Sequence, residues 1–193
     1  MIPHHFFDLN TRRSADEDSF SSDIATVGRL MWLLHGVMRA QPGRFALAFP
    51  AMRTGAKRSP GSILRVFAQE ASHLAALQEN IGQHMVVRDY ARFGYVQRIP
   101  AGFAGEMIEY HRFRIPNQKT RLGECRSRRM DAADELPFIR FVSKSNTQGF
   151  SLYIEPRPPR VAVLERAQCE PDSYGLSVSD RPFALPHLPL AIN

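Results

Sequence analysis

Apolar and polar positions change their period several times along the chain, and each change marks an element. His4 to Leu9 (HHFFDL) is a short apolar run that reads as a strand, while Arg12 to Asp23 is polar and reads as a loop. From about Ile24 to Arg39, the residues Ile24, Val27, Leu30, Met31, Leu34 and Met38 recur at helical spacing, with Ser22 or Asp23 offering an N-cap oxygen. Gln41-Pro42-Gly43 ends that helix. Phe45 to Ala51 and Ser62 to Ala68 then read as strands joined by the basic turn Arg53 to Gly61. A second helix is expected over about Gln69 to Ile81, carried by Ala71, Leu74, Leu77 and Ile81, with Gly82 where a C′ glycine belongs. Met85 to Val87, resuming at Tyr95 to Ile99, is expected to supply a fourth strand.

The order β-α-β-β-α-β predicts an α+β, ferredoxin-like domain over residues 1–100, an architecture shared with RNA-recognition modules. Pro100-Ala101-Gly102 marks a boundary, and residues 101–193 form a smaller second unit. That unit opens with the alternating run Glu106 to Ile115, followed by a basic segment from Asn117 to Met130. Leu136 to Val142 and Phe150 to Ile154 then read as two strands around the polar loop SKSNTQG. Pro156 to Pro159 (PRPP) reads as a turn and Arg160 to Glu165 as a further strand. The tail, with Pro182, Pro186 and Pro189, is extended rather than helical.

Composition narrows the partner. The chain has 193 residues, 44% of them hydrophobic, enough for a sizeable core. Lys and Arg total 25 against 19 acids, a net charge of +6, and arginine far outnumbers lysine. Arginine suits bidentate phosphate and guanine contacts, so a polyanion is the expected partner. No basic amphipathic helix stands out and no run approaches the roughly 18 apolar residues of a membrane span, so no membrane partner is expected. Cys125 and Cys169 lack CxxC spacing, and the histidines other than His35 show no HxH or HExxH spacing. No metal site and no cofactor are therefore expected. The start of the chain has no apolar h-region, and a reduced, cytoplasmic setting is the simplest reading.

The candidate chemistry lies in three places. His35 falls at the edge of the first helix's apolar face, followed by Gly36, which has no side chain to crowd a ligand. Ser143, Lys144 and Ser145 stand in the polar loop. Arg112, Arg114, Lys119, Arg121, Arg126, Arg128 and Arg129 fall within eighteen residues, the first two on one face of a strand. Metal-free RNA cleavage needs a group titrating near neutrality to take the ribose 2′-OH proton, and donors to hold the 2′-OH or the phosphate; these residues can supply both. Phe150, at the loop exit, can stack on a base. Each piece also has a plain structural reading: a satisfied histidine on a helix shoulder, a solvated hairpin, a solvated basic surface, a core phenylalanine. Three functions fit: a hairpin-specific endoribonuclease, a non-catalytic RRM-like subunit that caps an RNA hairpin in a ribonucleoprotein, or a DNA-binding architectural protein.

Taken together, the pieces resemble the CRISPR-associated pre-crRNA endoribonucleases of type I-F systems. The resemblance covers most of the chain. VGRLMWLLHGVMRAQPGRFALAFP is similar to the family's catalytic helix and following strand, and LPFIRFVSKSNTQGFSLYI with SYGLS is similar to its C-terminal signature. The resemblance implies that His35 is the catalytic histidine, that Ser143 holds the 2′-OH with Ser145 beside it, and that Tyr174 stands near the histidine. It implies that Phe150 stacks on the base of the hairpin and that Arg112 and Arg114 read base pairs at the bottom of the stem. The segment Lys119 to Arg129 would be the arginine-rich helix; Lys144, read from its own place in the polar loop, would hold substrate. It further implies a protein, monomeric when free, that cleaves CRISPR repeat hairpins without metal to leave a 2′,3′-cyclic phosphate. The protein would then stay on the crRNA 3′ hairpin beside other subunits of the effector complex. Arginine at 114, where the family usually has glutamine, and the continuation past YGLS through LPHLPLAIN both depart from the family pattern and suggest a variant branch.

Overall fold

The computed structural model describes residues 1–12, 19–116, 123–142, 149–160, 163 and 168–190. The first half folds as β1 (His5–Thr11), α1 (Ser19–Ala40), β2 (Phe45–Ala48), β3 (Ile63–Ala68), α2 (Ala71–Gly82), α3 (Met85–Tyr90), β4 (Ala91–Phe93) and β5 (Gln97–Arg98). Its antiparallel sheet runs β2-β3-β1-β4, with β5 also pairing β1. This is the ferredoxin-like α+β arrangement that the alternation of elements predicts. The helical spacing of α1 buries Val27, Leu30, Met31, Leu34 and Met38, and that of α2 buries Leu74, Leu77 and Ile81.

Four details differ from expectation. Helix α1 begins at Ser19, so Ser22 and Asp23 lie inside it and neither is its cap. Gly82 is the last residue of α2, not a C′ residue beyond it; the cap is Gln83 in right-handed conformation. Met85 to Val87 is helical: His84 Nδ1 accepts from the Val86 amide at 3.2 Å and starts α3, so the three apolar residues follow a cap into a helix. The edge of the sheet is made by Ala91–Phe93, which the sequence pattern does not mark, together with Gln97–Arg98, which lies inside the expected Tyr95 to Ile99 strand.

The second half contains β6 (Met107–Phe113), α4 (Gly123–Ala133), β7 (Phe138–Val142), β8 (Gly149–Arg157) and β9 (Leu185–Pro186), in a sheet of order β7-β8-β6-β9. Pro156 lies within β8, opposite Tyr110, where a turn was expected. The register of β7 on β8 runs from Gly149 to Tyr153, so among the described residues no strand faces Pro156 on that side and the missing N–H breaks no ladder there. Of the strand expected over Arg160 to Glu165, only Arg160 and Val163 are described. Val163 is helical, and its amide bonds Arg160 O at 2.8 Å.

The halves share one apolar cluster, which runs from Phe7, Leu47 and Val66 through Tyr110 and Phe141 to Leu176 and Leu185. Helix α1 packs on β7 as well as on its own sheet. A Cβ at Gly28 would stand 2.9 Å from Arg140 O, so glycine there lets helix and strand approach. The tail is anchored by Arg65, 1% exposed. Arg65 forms a two-pronged pair with its cross-strand neighbour Asp8 (2.7 and 2.9 Å) and donates to Leu188 O (2.6 Å) and Pro189 O (3.3 Å).

Candidate active site and nucleic-acid interface

His35 follows the buried Leu34 on α1 and is itself half-buried, at the junction of the two halves. Its Nδ1 lies 2.6 Å from Ser173 O. A carbonyl only accepts, so Nδ1 carries hydrogen, and in the neutral ring Nε2 holds the lone pair. The imidazole lies flat on the Tyr174 ring, with centroids 4.1 Å apart and planes 8° apart. Burial pushes the Tyr174 phenol up, against the opposing charge of Arg112, so it remains protonated at neutral pH. Among the described residues, a Cβ at Gly36 would meet no atom within 4 Å.

The carbonyl that fixes His35 belongs to a turn built on Asp172. Asp172 Oδ1 accepts from the amides of Tyr174 (2.8 Å) and Leu176 (3.1 Å), and Gly175 N returns to Asp172 O at 2.9 Å. Gly175 has φ +74°, and its carbonyl accepts from Leu47 N, docking the turn on β2. A Cβ there would also approach Leu47 Cγ to 2.8 Å, so only glycine fits.

Arg112 joins this turn to β6. Its Nη1 donates to Asp172 Oδ2 at 3.0 Å, and its guanidinium carbon lies 4.6 Å from the Tyr174 ring centroid. Arg114 is exposed two residues on. Both arginines line an open groove of about 690 Å3 bounded by β6, α4 and β8, together with Arg126, Met130 and Phe150. Phe150 is 42% exposed and stacks on Phe141 (5.1 Å, 10°), which meets Tyr174 edge-on at 5.5 Å. An aromatic ladder therefore runs from the groove to His35. Helix α4 is tied to the end of β6 by its own arginines: Arg126 donates to Pro116 O and Arg129 Nε to Arg114 O, each at 2.7 Å, and Arg129 lies over the Phe113 ring. Arg128 is exposed on the same helix.

A buried polar chain lies under the neighbouring surface. Glu109 Oε1 accepts from Ser177 Oγ (2.7 Å) and from His111 Nδ1 (3.1 Å), and His111 Nε2 lies 3.4 Å from Ser179 Oγ. Burial pushes the Glu109 carboxyl up, but the bonds from His111 and Ser177 outweigh it and hold the group below the usual carboxylate range.

Among the sequence-predicted site residues, His35, Tyr174, Arg112, Arg114, Arg126, Arg128, Arg129 and Phe150 are described. His35, Tyr174 and Arg112 meet directly. Ser143, Lys144, Ser145, Lys119 and Arg121 lie outside the described residues. Sequence reasoning passed over Asp172, the Ser173 carbonyl, Phe141 and the Glu109–His111–Ser177 chain. Only Asp172 had a local signal: an aspartate opening the turn sequence DSYG.

A ferredoxin-like α+β protein with an oriented histidine beside an arginine-lined groove has the equipment of a nucleic-acid-handling protein. The family model described as CRISPR-associated protein (Cas_Csy4) matches residues 13–187, and the chain belongs to this family. It is a CRISPR-associated endoribonuclease of the type I-F context that processes precursor crRNA and binds CRISPR repeat RNA. No curated protein matches the chain closely enough to add to this.

Proposed function

We propose that the protein cleaves the repeat hairpin of precursor crRNA without a metal ion and remains on the product. His35 Nε2 takes the proton of the ribose 2′-OH, and the 2′-oxygen attacks the adjacent phosphorus in line. The bond to the 5′-oxygen breaks, and that oxygen takes back the proton now on His35, directly or through a water molecule, as it leaves. The products are a 2′,3′-cyclic phosphate and a 5′-OH. The observation that carries this reading is the bond from His35 Nδ1 to Ser173 O. It sets the tautomer and turns the basic nitrogen away from the protein's own acceptor.

Tyr174 holds the imidazole plane by stacking. Ser143 positions the 2′-OH, and Lys144 and Ser145 hold the neighbouring substrate. Phe150 stacks on the base of the stem, supported from below by Phe141. Arg112 and Arg114 read base pairs from the groove. Lys119, Arg121, Arg126, Arg128 and Arg129 contact phosphates, a contribution that falls steeply with salt. The enzyme is a monomer when free and enters the effector complex with its crRNA, in the cytoplasm.

The test is incubation of a cognate repeat hairpin with the protein in excess EDTA. Expected is cleavage at one site, a cyclic-phosphate end, and no cleavage by His35→Ala or of RNA carrying 2′-deoxy at that site. Loss of wild-type activity in chelator, or full activity of His35→Ala, refutes it.

A further inference from the structure

Asp172 faces two ways. Its side chain is only 6% exposed, and the two oxygens serve different partners. Oδ1 closes the turn through the amides of Tyr174 and Leu176, and that turn supplies the carbonyl that orients His35. Oδ2 holds Arg112 Nη1. The backbone repeats the linkage: Arg112 N donates to Ser177 O and Ser177 N to Tyr110 O, so β6 and the turn move together. A guanidinium has five donors, and the bond to Asp172 uses Nη1; among the described residues no other side-chain acceptor takes the rest, which suit a base.

We propose that Asp172 is a positioning residue that couples base-pair readout by Arg112 to the orientation of His35. The inference rests on the reading of Arg112 as a stem contact. A cognate closing pair is one that Arg112 reaches while its Nη1 stays on Asp172. The Tyr174 ring then keeps both neighbours, and Ser173 O keeps its place on His35. A wrong pair draws the guanidinium off Asp172, loosens the turn and misaligns the imidazole. Sequence discrimination is consequently larger in the cleavage step than in binding.

The experiment uses full-length protein and two repeat hairpins, one cognate and one with its closing base pair inverted. Single-turnover cleavage is measured at saturating protein, and affinity on the same RNAs with 2′-deoxy at the cleavage site. Asp172→Asn keeps an oxygen for both turn amides but loses the charge on Arg112. Its cognate cleavage is expected to fall by about tenfold or more, the scale of one lost charge-assisted hydrogen bond. Affinity is expected to fall far less, and the cleavage ratio between the two hairpins to shrink toward the binding ratio. Arg112→Gln approaches the same pair from the other side without touching the turn's carboxylate, and must show the same excess of cleavage loss over binding loss even if Asp172→Asn folds poorly. Equal losses of binding and cleavage in both variants, or an unchanged discrimination ratio, overturn the inference. Absence of cleavage by the wild type overturns the reading of the site and this inference with it. Wild-type cleavage with an unaffected Asp172→Asn overturns the inference alone.

Discussion

Removing the Asp8 carboxylate strands a buried cation. Arg65 is 1% exposed and cannot reach water without opening the sheet, and in Asp8→Ala its remaining partners among the described residues are the carbonyls of Leu188 and Pro189 and the Phe6 ring at 4.6 Å. Breaking a buried pair from one side costs about 3–5 kcal/mol. The two carbonyls and the ring keep part of the cation's solvation, which places the loss at the lower end, about 3 kcal/mol. For a chain of this length each kcal/mol moves the melting temperature by about 2–4 °C, so Asp8→Ala is expected to melt about 6–12 °C lower. The double variant Asp8→Ala/Arg65→Met removes the charge together with its partner and should recover most of that loss. The assay is thermal unfolding by circular dichroism, with reversibility checked on cooling. A drop under about 2 °C for Asp8→Ala, or a double variant no more stable than the single one, refutes the reasoning.

Three further outcomes are expected. Gly28→Ala puts a Cβ 2.9 Å from Arg140 O and must part α1 from β7, costing about 1–3 kcal/mol in urea unfolding; an unchanged midpoint would show that the helix is not seated against that carbonyl. Because the folded Glu109 carboxyl lies below its ordinary value of 4.5, its contribution is complete above that pH and is lost as pH falls through the folded value; Glu109→Gln should flatten the acid side of the stability profile. The Cys169 thiol is pushed up to about 12 by burial, so peptide mapping after iodoacetamide at pH 8 should find Cys169 unmodified in folded protein and alkylated in denaturant.

The ferredoxin-like half was legible because its signals are local: Leu30, Leu34 and Met38 repeat with the helix, and β1 and β3 are apolar runs between turn formers. Met85 to Val87 misled because three adjacent apolar residues suit either element, and the deciding group is the His84 ring accepting from the chain two residues ahead. In the site, the residue types were readable and their partners were not. Arg112 finds Asp172 sixty residues away, and Glu109 finds Ser177 sixty-eight away. Such pairs are set by which strands become neighbours, so no local window contains them. Nor does the periodicity of α1 say that Ser173 will present a carbonyl to His35 from 138 residues further on.

The apolar cluster common to both halves has a consequence for how activity fails. His35 rides on a helix seated against both sheets, and the turn that orients it hangs from Leu47 on the first sheet while built from the second half. Separately expressed halves would each expose a fresh hydrophobic face and neither would hold an oriented histidine. Conditional variants should therefore arise throughout the interior: a truncated Phe49 or Tyr110, whose rings meet at 5.9 Å between the halves, would give a temperature-sensitive loss of cleavage far from any group that touches RNA.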